Sequence, residues 1–196
     1  MGVGRVMWGA GLFAGACAIG HAVVHRSEAA AVDQELFDAV NDGHGPEADR
    51  VFVSVTELGS MYAAGAAALT LTVLGRGDAA TRAMSAAGAT WVLLQAMKRV
   101  ADRPRPLDAD PDGTRQLIAR PVGMSWPSSH PAVLTTFSRV AARELGVGVA
   151  GRGALSALDA TVAASRVYLG VHYPSDVVSG LLIGRAVARL WPRTRA

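Results

Sequence analysis

The sequence predicts an all-α fold, a bundle of six membrane-spanning helices with its reactive residues at one membrane face. Three observations lead there. Half of the residues are apolar (51%), and they are clustered rather than dispersed. No strand-like alternation of apolar and polar residues persists along the 196 positions. Charged residues collect between the apolar runs, as they do in the connections of membrane bundles. A span takes about 20 mainly apolar residues, and six are read here, at 6–24, 55–74, 79–97, 128–146, 153–171 and 175–192.

The first run resembles the core of a signal peptide. No A-x-A cleavage site follows it and further apolar runs come later, so it is read as a retained helix. Residues 25–50 hold seven of the sixteen acidic residues against two bases, Arg26 and Arg50, and are read as an acidic loop. The second span starts near Glu57. The third follows the turn "GRGDAATR", which carries Arg76 and Arg82. The fourth carries Arg139 and Arg143 near its end, and the fifth carries Asp159 in its middle. Taken alone, those two could equally be buried helices of a soluble protein. The sixth runs into "GRAVARLWPRTRA", with four arginines and no acid. Cytoplasmic loops favour arginine and lysine. The N-terminus, the turns at 75–82 and 147–152, and the tail are therefore expected inside, with the acidic segment outside. Trp8 and Trp191 lie near span ends, where interfacial belts place such residues. No internal repeat is evident, so 1–196 is one domain, in a multi-pass plasma-membrane protein.

Cys17 is the only cysteine, which excludes an intramolecular disulfide and Cys-rich zinc or iron–sulfur sites. Net charge is +3, and Lys98 is the only lysine. The segment 98–127 breaks the charge pattern. It belongs outside, yet it holds Lys98, Arg99, Arg103, Arg105, Arg115 and Arg120, with five of the nine prolines. It is read as neither helix nor span. An anionic ligand would account for its charge.

Three clusters carry candidate chemistry: "KRVADRPRP" at 98–106, "PSSH" at 127–130 and "SRVYLGVHYPSD" at 165–176. Counting spans, the first follows span three, the second opens span four and the third joins spans five and six. All three fall on one membrane face whichever way the chain inserts. Lys98, Arg105 and Arg166 supply fixed positive charge, and arginine can fork onto phosphate oxygens. Ser128 and Ser129 stand before Pro131 in the first turn of a helix, and Pro174 starts another just after His172. Helix N-termini offer free N–H groups to anions. The ligand that fits is a phosphate. His172 and His130 could divide nucleophile and proton donor between them. Asp176, four residues after His172, could accept its imidazole N–H and set the tautomer.

Plainer readings exist for each residue. The basic loop could bind anionic headgroups. His172 and Asp176 could form a structural hydrogen bond or part of a metal site, though a convincing third ligand is lacking. His130 could cap a helix. His21, His25, His44 and Cys17 have no motif around them, and Asp159 and Glu57 fit helix–helix polar contacts or local hydration.

Taken together, the clusters resemble the type 2 phosphatidic acid phosphatase superfamily, which includes lipid phosphatases and vanadium haloperoxidases. "KRVADRPRP" fits K-x6-R-P, "PSSH" resembles P-S-G-H and "SRVYLGVHYPSD" fits S-R-x5-H-x3-D. The resemblance implies His172 as nucleophile through a phosphohistidine, Asp176 as its orienting carboxylate and His130 as general acid. It implies Lys98, Arg105, Ser128, Ser129 (through its N–H) and Arg166 as the phosphate cradle, with no metal and no other cofactor. The expected partners are a lipid phosphate and the membrane, not nucleic acid. Polyprenyl (pyro)phosphate, phosphatidic acid, phosphatidylglycerol phosphate and polyprenyl-phosphosugar phosphate all fit. Ser129 stands where the family has glycine. It is strained there if the position needs positive φ, and tolerated if only its N–H is used. A non-catalytic phospholipid-binding protein is the alternative; a haloperoxidase is disfavoured by the apolar spans.

Overall fold

The structure, a computed structural model, describes residues 2–193. In chain order it contains α1 (Val3–His25), α2 (Ser27–Asn41), α3 (Pro46–Thr56), a turn of 3-10 helix at Glu57–Gly59, α4 (Met61–Val73), α5 (Gly77–Ala101), α6 (Pro106–Ala109), α7 (Ser129–Glu144), α8 (Val149–Tyr168) and α9 (Pro174–Leu190). Among the described residues there is no strand. The all-α expectation holds.

α7 and α9 form the centre. α9 lies between α1 and α7; α5 and α8 flank α7; α4 packs on α5 and α3 on α8. Alanines let the inner helices approach closely. Ala83, Ala86 and Ala87 of α5 meet Val133, Phe137 and Val140 of α7. A second cluster joins Ala16 of α1, Leu94 of α5, Ala132 of α7 and Ile183 of α9. A third joins Phe37, Val167, Tyr173 and Val177 beneath the site. Some polar groups inside the bundle pair across helices. Thr90 and Thr136 share a 3.0 Å hydrogen bond. Asp159 lies 3.4 Å from the Ser138 hydroxyl and 3.7 Å from Arg139, the interhelical contact expected of it. The outer surface is apolar in places where a soluble protein would be polar, at Met7, Trp8, Leu69, Val73 and Val92 among others.

The structure departs from the sequence reading in three places. Among the described residues, α1 alone is long and apolar enough to cross a membrane, or there are two spans if α3 and α4 are taken as one broken segment. The count of six is not reproduced on those criteria. α7 and α9, at 16 and 17 residues, are short, and they bury polar side chains against each other instead of presenting apolar surface all round. Second, the expected helix at 55–74 is bent by 63°. The break falls at Gly59–Ser60, where Ser60 caps α4 by accepting a hydrogen bond from the Ala63 N–H at 3.1 Å. Third, the acidic segment 25–50 is no loop: it folds into α2 and the start of α3. Asp33, Phe37 and Asn41 lie one turn apart and form the buried face of α2. Residues 98–101, read as non-helical, are the last turn of α5, and the only other helix within 98–127 is the four-residue α6, opened by Pro106.

Candidate active site

The site grows from the start of α9. Gly170, with φ +75°, turns the chain after α8. His172 follows, Tyr173 is the N-cap, and Pro174 occupies the first turn, where a missing N–H costs nothing. Asp176 then sits in the first helical turn with its carboxylate folded back. Its Oδ2 accepts from the Tyr173 N–H at 2.9 Å and from the Ser125 hydroxyl, and it lies 3.3 Å from His172 Nδ1. Its Oδ1 accepts from Arg103 Nη1 at 2.8 Å.

α7 starts against the same turn. The Ser128 N–H donates to the Asp176 carbonyl at 3.0 Å. Gly180 of α9 lies so close that a Cβ there would stand 2.4 Å from the Ser128 carbonyl oxygen. The two helix N-termini expected from the proline positions are thus fixed together. Ser128 is the extended N-cap, at φ −72° and ψ 124°, and Ser129 is the first residue of α7. The only non-glycine residue with positive φ among those described is Asp102. Ser129 is therefore unstrained where the family has glycine. His130 follows, half-buried, in the first turn.

The cations arrive from three segments. Arg105 donates from Nη1 to the Val171 carbonyl at 2.8 Å and faces His172 Nε2 at 3.2 Å; its Nε donates to the Gly123 carbonyl at 2.9 Å. Because guanidinium can only donate, His172 Nε2 is assigned as the acceptor and Nδ1–H is directed at Asp176. Lys98, at the end of α5, donates to the carbonyls of Met124 (2.7 Å) and Ser125 (3.0 Å). Arg166 of α8 donates to the Thr56 hydroxyl at 2.7 Å. Its Nε and the Ser128 hydroxyl are buried without a hydrogen-bond partner among the described residues.

Burial and crowding of like charge shape the electrostatics. His172 is held well below the usual imidazole value by burial and then by Lys98, Arg105 and Arg166, so its ring is neutral at pH 7. Burial, with Arg105 nearby, pushes Lys98 down to about 7. Burial brings Arg105 to about 10, still a cation at neutral pH.

All eight residues singled out in the sequence lie in the last turn of α5, on the α5–α6 connection or at the ends of α7, α8 and α9. Lys98, Arg105, Arg166 and His130 all act on the field at His172. Sequence reasoning missed the scaffold behind them. Arg103 was one arginine among several in a basic loop. It is buried over the Tyr173 ring, 4.1 Å from its centre, and bridges Asp176 to Asp33 of α2, with Nη2 2.7 Å from Asp33 Oδ2. Burial alone would lower its pKa, yet Asp176 and Asp33 raise it. Asp33 also accepts from the Ser175 N–H at 2.8 Å, and Ser125 joins Asp176 from the loop. Only the helical spacing of Asp33, Phe37 and Asn41 hinted at any of this. No three His, Cys, Asp or Glu among the described residues converge as a metal site.

Two solved structures share the fold. A transmembrane PAP2-type phosphatidylglycerolphosphate phosphatase from Bacillus subtilis superposes with a TM-score of 0.77, at 21% identity, over 93% of this chain and 92% of that one. LpxE of Aquifex aeolicus superposes at 0.72, with 27% identity, over 80% and 92%. In sequence, a decaprenylphosphoryl-5-phosphoribose phosphatase of Mycobacterium tuberculosis is 32% identical over 94 residues, 48% of this chain and 49% of the relative. The Mycolicibacterium smegmatis protein of that name is 37% identical over 84 residues, 43% and 42%. The match thus spans about half the length of these curated relatives. The model of the PAP2 superfamily matches residues 79–196, which hold every one of the eight site residues, and the chain belongs to that superfamily.

Proposed function

We propose that this protein is an integral membrane phosphatase that releases phosphate from a lipid phosphomonoester or pyrophosphate through a phosphohistidine. One observation carries the reading: a neutral, buried imidazole has Nδ1 on a fixed carboxylate and Nε2 facing Arg105, within the field of Lys98 and Arg166. In the first step Nε2 forms a bond to phosphorus as the bond to the leaving oxygen breaks. His130 gives that oxygen a proton. In the second step His130 takes a proton from water, the water oxygen bonds to phosphorus and the P–N bond breaks, which restores His172. Lys98, Arg105, Arg166, the Ser128 hydroxyl and the Ser129 N–H hold the three other oxygens as charge develops on them. Lys98 and Arg105 keep their bonds to the carbonyls of Gly123, Met124 and Ser125 and offer their remaining N–H groups to the phosphate.

The relatives favour a polyprenyl-phosphosugar phosphate as the substrate class, with phosphatidylglycerol phosphate next. The bundle is proposed to cross the membrane six times, with α3 and α4 serving as one broken span. Both termini then lie in the cytoplasm and His172 opens toward the outer face. Phosphate release in detergent, screened over these lipid classes, tests the reading. Release from at least one class, lost in His172→Ala, is expected; no release from any lipid phosphate by wild-type protein would overturn it.

A further inference from the structure

The far end of α9 holds a second concentration of positive charge. With a rise of 1.5 Å per residue, its last turn lies roughly 24 Å from the first. There Arg5, Arg139, Arg143, Arg185, Arg189 and Arg193 line one cavity of about 1000 Å³, and no carboxylate shares the lining. Part of this charge has structural work. Arg5 donates to the carbonyls of Arg189 and Trp191. Arg143 donates to the Ala188 carbonyl at 3.0 Å and pairs with Glu144, so these two satisfy and neutralise the C-terminus of α9. Arg139 donates to the Ser156 hydroxyl at 2.7 Å beside Asp159. The remainder is less committed: Arg185 acts on the buried Asp159 only through its field. Arg185 is half-buried and makes no hydrogen bond or salt bridge among the described residues. Arg189 is exposed and lies only over the ring of Trp8, 5.7 Å from its centre.

The cavity does not end at the arginines. Trp8 and Leu12 also border a groove of about 650 Å³ along α1, otherwise lined by Gly4, Met7, Gly11, Gly15 and Leu182 and almost wholly apolar. A Cβ built at Gly4, Gly11 or Gly15 would meet nothing within 4 Å. A polyanion alone would use the first compartment and leave the second in contact with nothing of its own. An amphiphile matches both: phosphate in the guanidinium cavity, hydrocarbon along α1, and Trp8 at the junction where an amphipathic ring is favoured.

We propose that this end of the bundle is a binding site for an anionic phospholipid, separate from the His172 site, with the headgroup held by Arg185 and Arg189 and one chain lying in the α1 groove. The assignment does not depend on the phosphatase reading.

Native mass spectrometry of the full chain in non-ionic detergent, titrated with phosphatidylglycerol, phosphatidylcholine or inorganic phosphate, tests it. Wild-type protein should bind phosphatidylglycerol about tenfold more tightly than phosphatidylcholine, since each surface arginine contributes on the scale of a severalfold preference. Arg185→Gln with Arg189→Gln should erase the preference, and Arg185→Lys with Arg189→Lys should keep most of it. A Cβ at Gly11 meets nothing within 4 Å, so Gly11→Leu adds bulk to the groove. It should weaken phosphatidylglycerol and leave inorganic phosphate unaffected. Equal binding of the two lipids by wild type, or undiminished phosphatidylglycerol binding in the glutamine or Gly11→Leu variants, would overturn the proposal. Inorganic phosphate binding as tightly as phosphatidylglycerol would assign the cavity to a free anion and overturn it as well.

Discussion

At the Pro174 end of α9, Lys98, Arg103, Arg105 and Arg166 are buried, and each donates to a protein acceptor. At the Leu190 end the arginines are half-buried or exposed, and Arg185 makes no hydrogen bond or salt bridge among the described residues, acting on Asp159 only through its field. Burial explains the contrast. A charge removed from water needs matched acceptors or it destabilises the fold, so the buried set is held in one geometry before a ligand arrives. The exposed set stays hydrated and needs no such match. The first arrangement suits a transition state, where donors must stand ready in place. The second suits a headgroup whose position can vary.

The contrast can be broken first at Arg103, which belongs to the buried set and faces two carboxylates rather than the imidazole. Arg103→Met should leave Asp33 and Asp176 unpaired and cost about 3–5 kcal/mol of stability, read as a lowered midpoint of thermal unfolding in detergent. Turnover should fall with it, because Asp176 loses the contact that fixes Oδ1. Arg103→Lys should recover part of the stability and less of the turnover, since an ammonium cannot span both carboxylates as a fork does. Next is the start of α7. Ser128 is already extended and Ser129 is the first helical residue, so Ser129→Pro fits the backbone and removes only the N–H and hydroxyl. Turnover should fall about 100-fold at an unchanged unfolding midpoint, the scale of losing one oxyanion donor.

Lys98 gives a smaller, pH-dependent effect. Its pKa is lowered to about 7, so the free enzyme loses this cation as pH rises through 7. kcat/KM should decline above that point by up to about tenfold per pH unit, and Lys98→Arg should flatten this limb. On the acid side the depressed His172 stays neutral below its ordinary value of about 6.5, so its protonation should cut activity only further down. At the opposite end, Arg185→Gln with Arg189→Gln should change turnover less than about twofold, because the roughly 24 Å between the ends of α9 exceeds the Debye length at physiological salt.

Much of the site was legible because its determinants are local. Pro131 and Pro174 mark helix starts, His172 and Asp176 are one turn apart, and Lys98 and Arg105 flank a helix end. Each of these can be read within ten residues. Arg103 and Arg105 show where such reading stops. Two residues apart in one basic loop, they are equivalent by composition, yet one meets the imidazole and the other meets Asp33, seventy positions earlier. Partners contributed by a distant helix leave no local trace. The same holds for Thr56, which receives Arg166. Charge content alone misread residues 25–50 as a loop, although the i, i+4, i+8 spacing of Asp33, Phe37 and Asn41 was visible. The six-span count relied on apolar runs, whereas α7, α8 and α9 bury Thr135, Thr136, Asp159 and Ser179 inside the bundle and so read as mixed helices.

The account rests on His172 taking the phosphoryl group. Rapid denaturing quench of wild-type protein turning over a phosphorus-labelled lipid phosphate measures this directly, with the labelled residue located by peptide mapping. The account predicts an acid-labile, alkali-stable label on His172, absent from His172→Ala together with all phosphate release. Label on a different residue, or continued phosphate release by His172→Ala, would contradict it.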